Sequence, residues 1–216
     1  MTGFIGDHLV AHGSEPICLV PAVAPLKHQE HAAHTESEDP SSNPGVTFMT
    51  VKIRAEAPAD LLPIEAVTVE AFRDAPHASH TEQHIVNALR RANVLAISLV
   101  AELDGVVAGH VALSPVVISD GSEGWYGLGP ISVLPAHQHC GVGSALMREA
   151  IAALRRQGAQ GCVLLGDPGY YRRFGFQPDP RLTLAGVPPE YFQALLLGSK
   201  IPQGDVTYHA AFKASS

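Results

Sequence analysis

Residues 131–147, ISVLPAHQHCGVGSALM, place a strand, a loop with glycines at 141 and 143, and the start of a helix in direct succession. That order suits an anion. Backbone N–H groups of the loop and first helical turn lack acceptors inside the helix and point outward, and the helix dipole adds positive potential at the same end. A diphosphate can therefore bind without a lysine, and glycine permits its close approach to the backbone. Two familiar nucleotide loops do not fit. A Walker motif needs Gly-Lys-Ser/Thr at its end, and a dinucleotide fingerprint needs a third glycine or alanine where Leu146 stands. Cys140 lies within the loop, where a bound diphosphate would cover it.

The elements that must hold this loop can be read from residue periodicity. A strand is expected over 50–57, with Val51 and Ile53 on one face, and then a helix from about Asp60 to Phe72 striped by Ile64, Val67, Ala71 and Phe72. Ser79 and Glu82 form a capping-box pattern ahead of Ile85, Val86 and Leu89, which predicts a second helix over about 80–91. LAISLVAEL and VVAGHVALSPVVI are joined by Asp104-Gly105, a dipeptide that tolerates the positive φ angles of a tight hairpin. A further strand runs from Trp125 to Leu134. Pro130 cannot donate to a ladder and so predicts a bulge or a splayed edge within it. The third helix starts near Gly141 with Leu146, Met147, Ala150, Ile151 and Leu154 inward, and ends at Gly158. GCVLLGDP reads as a short buried strand, 169–173 as a short helix and Val206–Phe212 as a last strand. The sum is an α/β chain with a mixed sheet flanked by helices.

Composition narrows the function classes. The hydrophobic fraction of 46% and charged fraction of 16% suit a globular domain, and no apolar run approaches the roughly 18 residues of a membrane span. The net charge of -7 is concentrated early: Asp7, Glu15, Glu30, Glu36, Glu38 and Asp39 face a single base, Lys27, before residue 49. The rest is nearly balanced, which gives no footprint for nucleic acid or an anionic membrane. Cys18, Cys140 and Cys162 are too scattered for a disulfide framework, and with no targeting signal a cytoplasmic location is expected. Residues 1–48 read as a disordered acidic leader to a domain over 49–216. Met49 opens the strand pattern, and the composition shift there makes it an alternative expected start to Met1. The leader's His28, His31 and His34 have metal-like spacing, but an acidic, weakly patterned segment is a poor cage, and no metal site is expected.

The loop and its neighbours resemble the GNAT superfamily of acyl-CoA-dependent N-acetyltransferases. The pattern Gln/Arg-x-x-Gly-x-Gly/Ala is met by Gln138, Gly141 and Gly143. Some 30 residues on, Tyr171-x-x-x-Gly175-Phe176 matches the family's Tyr-x-x-x-Gly-Phe, and AELDGVVAGHVAL matches its second and third strands. LGPISVLP, VLLGDPGYYRRFGF and VPPEYFQALLL are similar to the YhbS-like acetyltransferases within it, and the resemblance spans about Met49 to Phe212. It implies the GNAT fold and acetyl-CoA as co-substrate. Backbone groups of Ile131, Ser132 and Val133 would hold the acetyl carbonyl and pantetheine arm, and Gln138, His139, Cys140, Gly141, Val142, Gly143 and Ser144 the pyrophosphate. Tyr171 would be the catalytic acid that protonates the leaving thiolate.

The expected reaction is direct acetyl transfer to a primary amine in a ternary complex. Cys140, at the diphosphate end, is badly placed for a ping-pong route. Some family members carry a glutamate base on the fourth strand, and Gly127 holds that place here. A lysine-type amine is neutral in only about one molecule in 2500 at pH 7, so the lack of a base favours either a low-pKa amine or proton transfer through water to Glu123, Asp120 or His110. Asp167, ahead of Pro168, reads as a helix cap, and Arg172 and Arg173 as a solvated face. The alternative is a non-catalytic CoA-binding sensor. The acceptor is a small-molecule or protein amine, and a homodimer is an assembly the resemblance leaves open.

Overall fold

The computed structural model describes residues 51–74 and 80–215. The leader, its histidines and Ser79 of the capping box lie outside them. In chain order the elements are β1 (Lys52–Ala55), α1 (Leu61–Phe72), α2 (Glu82–Arg91), β2 (Ile97–Leu103), β3 (Val106–Pro115), β4 (Val117–Ile118), β5 (Trp125–Val133), α3 (Val142–Arg156), β6 (Gly161–Leu165), α4 (Pro168–Tyr171), β7 (Leu182–Thr183), β8 (Phe192–Leu196) and β9 (Gly204–Thr207). Six strands form the main sheet in the order β1-β2-β3-β5-β6-β8, and β4-β9-β7 form a smaller one. Only β5 and β6 run parallel within the main sheet, joined through α3. No helix among the described residues is long and apolar enough to cross a membrane.

The periodicities expected from sequence are those that fold. Ile64, Val67, Ala71 and Phe72 are buried on α1, and Ile85, Val86 and Leu89 on α2. Leu146, Met147, Ala150, Ile151 and Leu154 are buried on α3. Withdrawing side chains of the size of Leu146, Met147 and Leu154 from water contributes on the order of 2 kcal/mol each. The sheet separates two packing layers. Leu99, Val111, Leu113, Leu128 and Leu164 meet α3 on one side, whereas Val100, Val107 and Ala112 meet α1 and α2 on the other. Asp104 and Gly105 take φ of 50° and 83° at the β2–β3 hairpin, as their types allow. Asp60 joins β1 to α1: Arg54 donates to both its oxygens at 2.6 and 3.0 Å, and the Ala57 N–H donates at 2.7 Å.

At the C-terminal end one expectation is corrected and one strand is added. The last strand covers Gly204–Thr207 rather than Val206–Phe212, because His209 accepts from Ala211 N–H at 3.1 Å and turns the chain into a short 3-10 segment. That strand belongs to the smaller sheet. The sixth strand of the main sheet is β8, which no periodicity in the sequence singled out; four of its five residues are buried, leaving no polar alternation to read.

Candidate active site

The parallel pair β5 and β6 parts midway. Their register runs from Trp125↔Gly161 to Leu128↔Leu164 and stops there, while β5 continues against β3 to Val133. The β3–β5 register shifts between Val111 and Leu113, opposite Gly129 and Pro130, so the bulge expected from Pro130 is where the strands part. Leu134 N–H donates to Ala108 O at 2.9 Å, across β3 from it. Bonded pairs recur every second residue in an antiparallel ladder, so His110 and Ser132 form the next one. Ile131 and Val133 therefore turn their backbone groups away from β3, toward the gap. Val133 O already receives Gln138 Nε2 at 3.1 Å, which ties the loop to the strand end. Ser132 lies between them with its backbone facing β3 and its hydroxyl 3.3 Å from Thr68 Oγ1 under α1.

Gly141 and Gly143 are glycines for different reasons. Gly141 caps α3 with φ 87°, a left-handed conformation, and a Cβ there would meet nothing within 4 Å. Gly143 is inside the helix, and its Cβ would stand 2.9 Å from the Tyr170 hydroxyl. His139 is also left-handed, at φ 62°. Ala145 N–H, donating to Gly141 O at 2.9 Å, makes the first backbone bond of α3, so the amides of Val142, Gly143 and Ser144 precede the helical ladder. Cys140 is exposed beside them. These residues, with the open face of Gly141, are fit to cradle a diphosphate.

Tyr170 and Tyr171 open from α4 in different directions, as consecutive helical residues must. The Tyr171 ring is fully buried, edge-on to Tyr170 and Phe176, and close enough to Gly166 that a Cβ there would fall 2.3 Å from it. Tyr170 leans the other way, with its hydroxyl bonded to the Ser144 side chain over the loop. Burial raises its phenol pKa, against the opposing effects of Ser144 and Arg173. Arg173 lies 4.7 Å from the Tyr170 ring centroid and donates to Tyr170 O at 2.9 Å. Tyr170 is also part of the buried core, and its place over the loop is one that the sequence analysis did not single out; the signal was the Tyr-Tyr pair at the head of a short helix. Asp167 caps α4 through Gly169 N–H at 2.9 Å, as expected.

The acids named from sequence lie on the loop between β4 and β5. Asp120 accepts from the N–H groups of Ser122 and Gln203, both at 2.9 Å, which hold its carboxyl below the usual range. Glu123 is exposed. At Gly127 a Cβ would stand 2.3 Å from the Tyr208 ring and 2.9 Å from Val116, so Tyr208 fills the space a side chain would need. Gly127→Glu is thus expected to destabilise the fold by about 1 to 3 kcal/mol without supplying a base. Urea unfolding of this variant beside Gly127→Glu/Tyr208→Ala checks it, since the second change should recover part of the loss.

His110 is fully buried beside a polar chain. Its Nε2 is 2.8 Å from Ser98 Oγ, Ser98 bonds Glu56, and Arg90 holds both Glu56 oxygens at 2.8 Å. Burial works to raise the Glu56 pKa, but the bonds from Arg90 and Ser98 outweigh it and hold the carboxyl below its usual value. Burial pushes His110 down to about 4, with the Glu56 charge opposing only in part. An unfolded chain protonates this histidine near 6.5 and the native protein near 4, so His110 leaves stability unchanged above 6.5, lowers it as pH drops between those values, and adds no further loss below 4. At about 1.4 kcal/mol per pH unit the loss reaches about 3 kcal/mol. His110→Gln keeps a donor toward Ser98 and should flatten the pH dependence of urea midpoints between 6.5 and 4.5. Among the described residues no group of His, Cys, Asp and Glu could hold a metal.

Comparison with known proteins agrees with this fold. Residues 95–178, from β2 through the Tyr171–Phe176 segment, match the acetyltransferase (GNAT) domain family. An N-acetyltransferase named YhbS from Escherichia coli K12, itself uncharacterized, is 36% identical over 126 residues, which are 58% of this chain and 72% of that protein. A GNAT family acetyltransferase from Brucella melitensis, solved in complex with acetyl-CoA, is 53% identical and superposes with a TM-score of 0.68, covering 76% of this chain and 99% of that one. Escherichia coli YhbS in complex with CoA is 30% identical with a TM-score of 0.71, over 84% and 98% of the two chains. With the family model matched over the centre of the domain, and identities of 30% or more extending over 72–99% of these relatives' lengths, this chain is a member of the GNAT acetyltransferase family.

Proposed function

We propose that residues 49–216 form a domain that transfers the acetyl group of acetyl-CoA to a primary amine by direct attack in a ternary complex. The observation that carries this reading is the gap between β5 and β6, bordered by the outward-turned backbone of Ile131 and Val133 and opening beside the amides that start α3. In this reading Gln138 to Ser144 hold the diphosphate, as the acetyl-CoA and CoA complexes of the two structural relatives support. Backbone groups of Ile131 to Val133 hold the pantetheine arm, and a strand N–H stabilises the oxyanion that forms at the acetyl carbonyl. Donors fixed in the strand do this without reorganising.

Tyr171 gives its proton to the leaving sulfur. Phe176, Tyr170 and Gly166 fix its ring, so the hydroxyl is aimed by packing rather than by a flexible stem. Thiol release from acetyl-CoA across a panel of primary amines tests the reading, the expected result being amine-dependent release. A second reading rests on Gly127, whose side-chain space Tyr208 occupies: a protein that binds CoA as a sensor and does not turn over. Tight acetyl-CoA binding with no release by any amine would favour it.

A further inference from the structure

The hydrogen bonds around His110 fix which of its nitrogens carries the proton. Glu56, held ionised by Arg90, can only accept, so the Ser98 hydroxyl donates to it. Ser98 Oγ then accepts from His110 Nε2–H at 2.8 Å. That leaves Nδ1 as a bare lone pair, fully buried and with no partner among the described residues. Buried polar atoms are rarely left so. A second atom on the same face repeats the pattern: Ser114 Oγ, four residues along β3, is also buried without a partner, with only the small Ala112 between. The two stand opposite Ser132 and Gly127 of β5, on either side of the point where β5 leaves β6. This face carries α1 and α2, whereas α3, with its loop, lies on the other. A donor held from the α3 side thus leaves the acceptor to enter at the edge of the face that α1 and α2 cover. His110 is one strand, about 5 Å, in from the gap.

We propose that His110 Nδ1 receives the proton that the acceptor amine sheds as it is acetylated, with Ser98, Glu56 and Arg90 as positioning residues that hold the ring in this tautomer. The inference rests on the transfer reading above. The amine nitrogen bonds to the acetyl carbon, the C–S bond breaks toward sulfur, and sulfur takes the Tyr171 proton. The nitrogen's surplus proton passes to Nδ1, and the imidazolium and phenolate regain their starting states through solvent once products leave. Glu56, 3.9 Å from the ring, supports the imidazolium; Asp60 adds to this support and Arg90 opposes it. Because burial keeps the free imidazole neutral, Nδ1 is available across the neutral range. The proton moves only as the C–N bond forms, when the nitrogen is far more acidic than a free ammonium. The ligand class is a primary amine, presented from the α1–α2 face.

The test uses the full chain, labelled with 15N-histidine, after acetyl-CoA binding has been confirmed by calorimetry. Long-range 1H–15N correlation at pH 8 reads each ring nitrogen, His110→Gln assigns the signal, and n-butylamine is titrated into the CoA-saturated protein. The expected result is a protonated Nε2 and an unprotonated Nδ1 that shifts saturably with n-butylamine, together with an Nδ1–H population appearing in Ser98→Ala. Protonation on Nδ1 in the wild type, or an Nδ1 signal unmoved by the amine, overturns the inference while leaving the transfer reading intact. Failure to bind acetyl-CoA overturns both. A merely structural histidine would not sense the amine.

Discussion

Gly143→Trp should abolish acetyl-CoA binding, lowering affinity at least about 100-fold, or about 3 kcal/mol, in calorimetric titration. Even a Cβ at Gly143 stands 2.9 Å from the Tyr170 hydroxyl, so an indole must displace Tyr170 and fill the face of α3 from which the opening amides point. Gly141→Ala provides the contrast. Nothing lies within 4 Å of its Cβ, so the cost is the strain of φ 87°, about 1 to 2 kcal/mol, and binding should weaken far less. A Gly143→Trp protein that keeps its circular dichroism and its affinity would remove this loop from the cofactor site.

Tyr171→Phe should leave acetyl-CoA affinity within about twofold and lower kcat by about 100-fold or more with any amine that supports turnover. The separation follows from the packing. Phenylalanine retains the ring contacts with Tyr170 and Phe176 and the fit over Gly166, so only the hydroxyl is lost. Thiol release measured under saturating acetyl-CoA isolates the chemical step. An unchanged kcat would show that sulfur leaves without this proton. Tyr170→Phe distinguishes the neighbours: losing the bond to Ser144 should loosen the loop and raise KM for acetyl-CoA more than it lowers kcat.

The parts of this site readable from sequence are those governed by local chemistry. Glycine at a left-handed helix cap, a proline that cannot join a ladder, Asp-Gly at a hairpin and a helical stripe on α3 each act within a few residues, and each folds where the pattern placed it. What escaped depends on distant contacts. β8 is enclosed against β6, and a short, largely buried strand carries no period to distinguish it from a piece of helix. Tyr208 reaches Gly127 from the far end of the chain, so an empty glycine in sequence is a filled site in space. The Arg90–Glu56–Ser98–His110 chain joins α2, the end of β1, β2 and β3. His110 was one of three candidate bases in the sequence, and only these partners, drawn from four elements, set it apart from Glu123 and Asp120.

The most direct test of acetyl transfer at this gap is isothermal titration of acetyl-CoA, and separately CoA, into the full chain. One saturable site per chain for each is predicted, with enthalpy lost in Gly143→Trp. A folded protein that takes up neither would contradict the cofactor site, and with it both the transferase and the CoA-sensor readings.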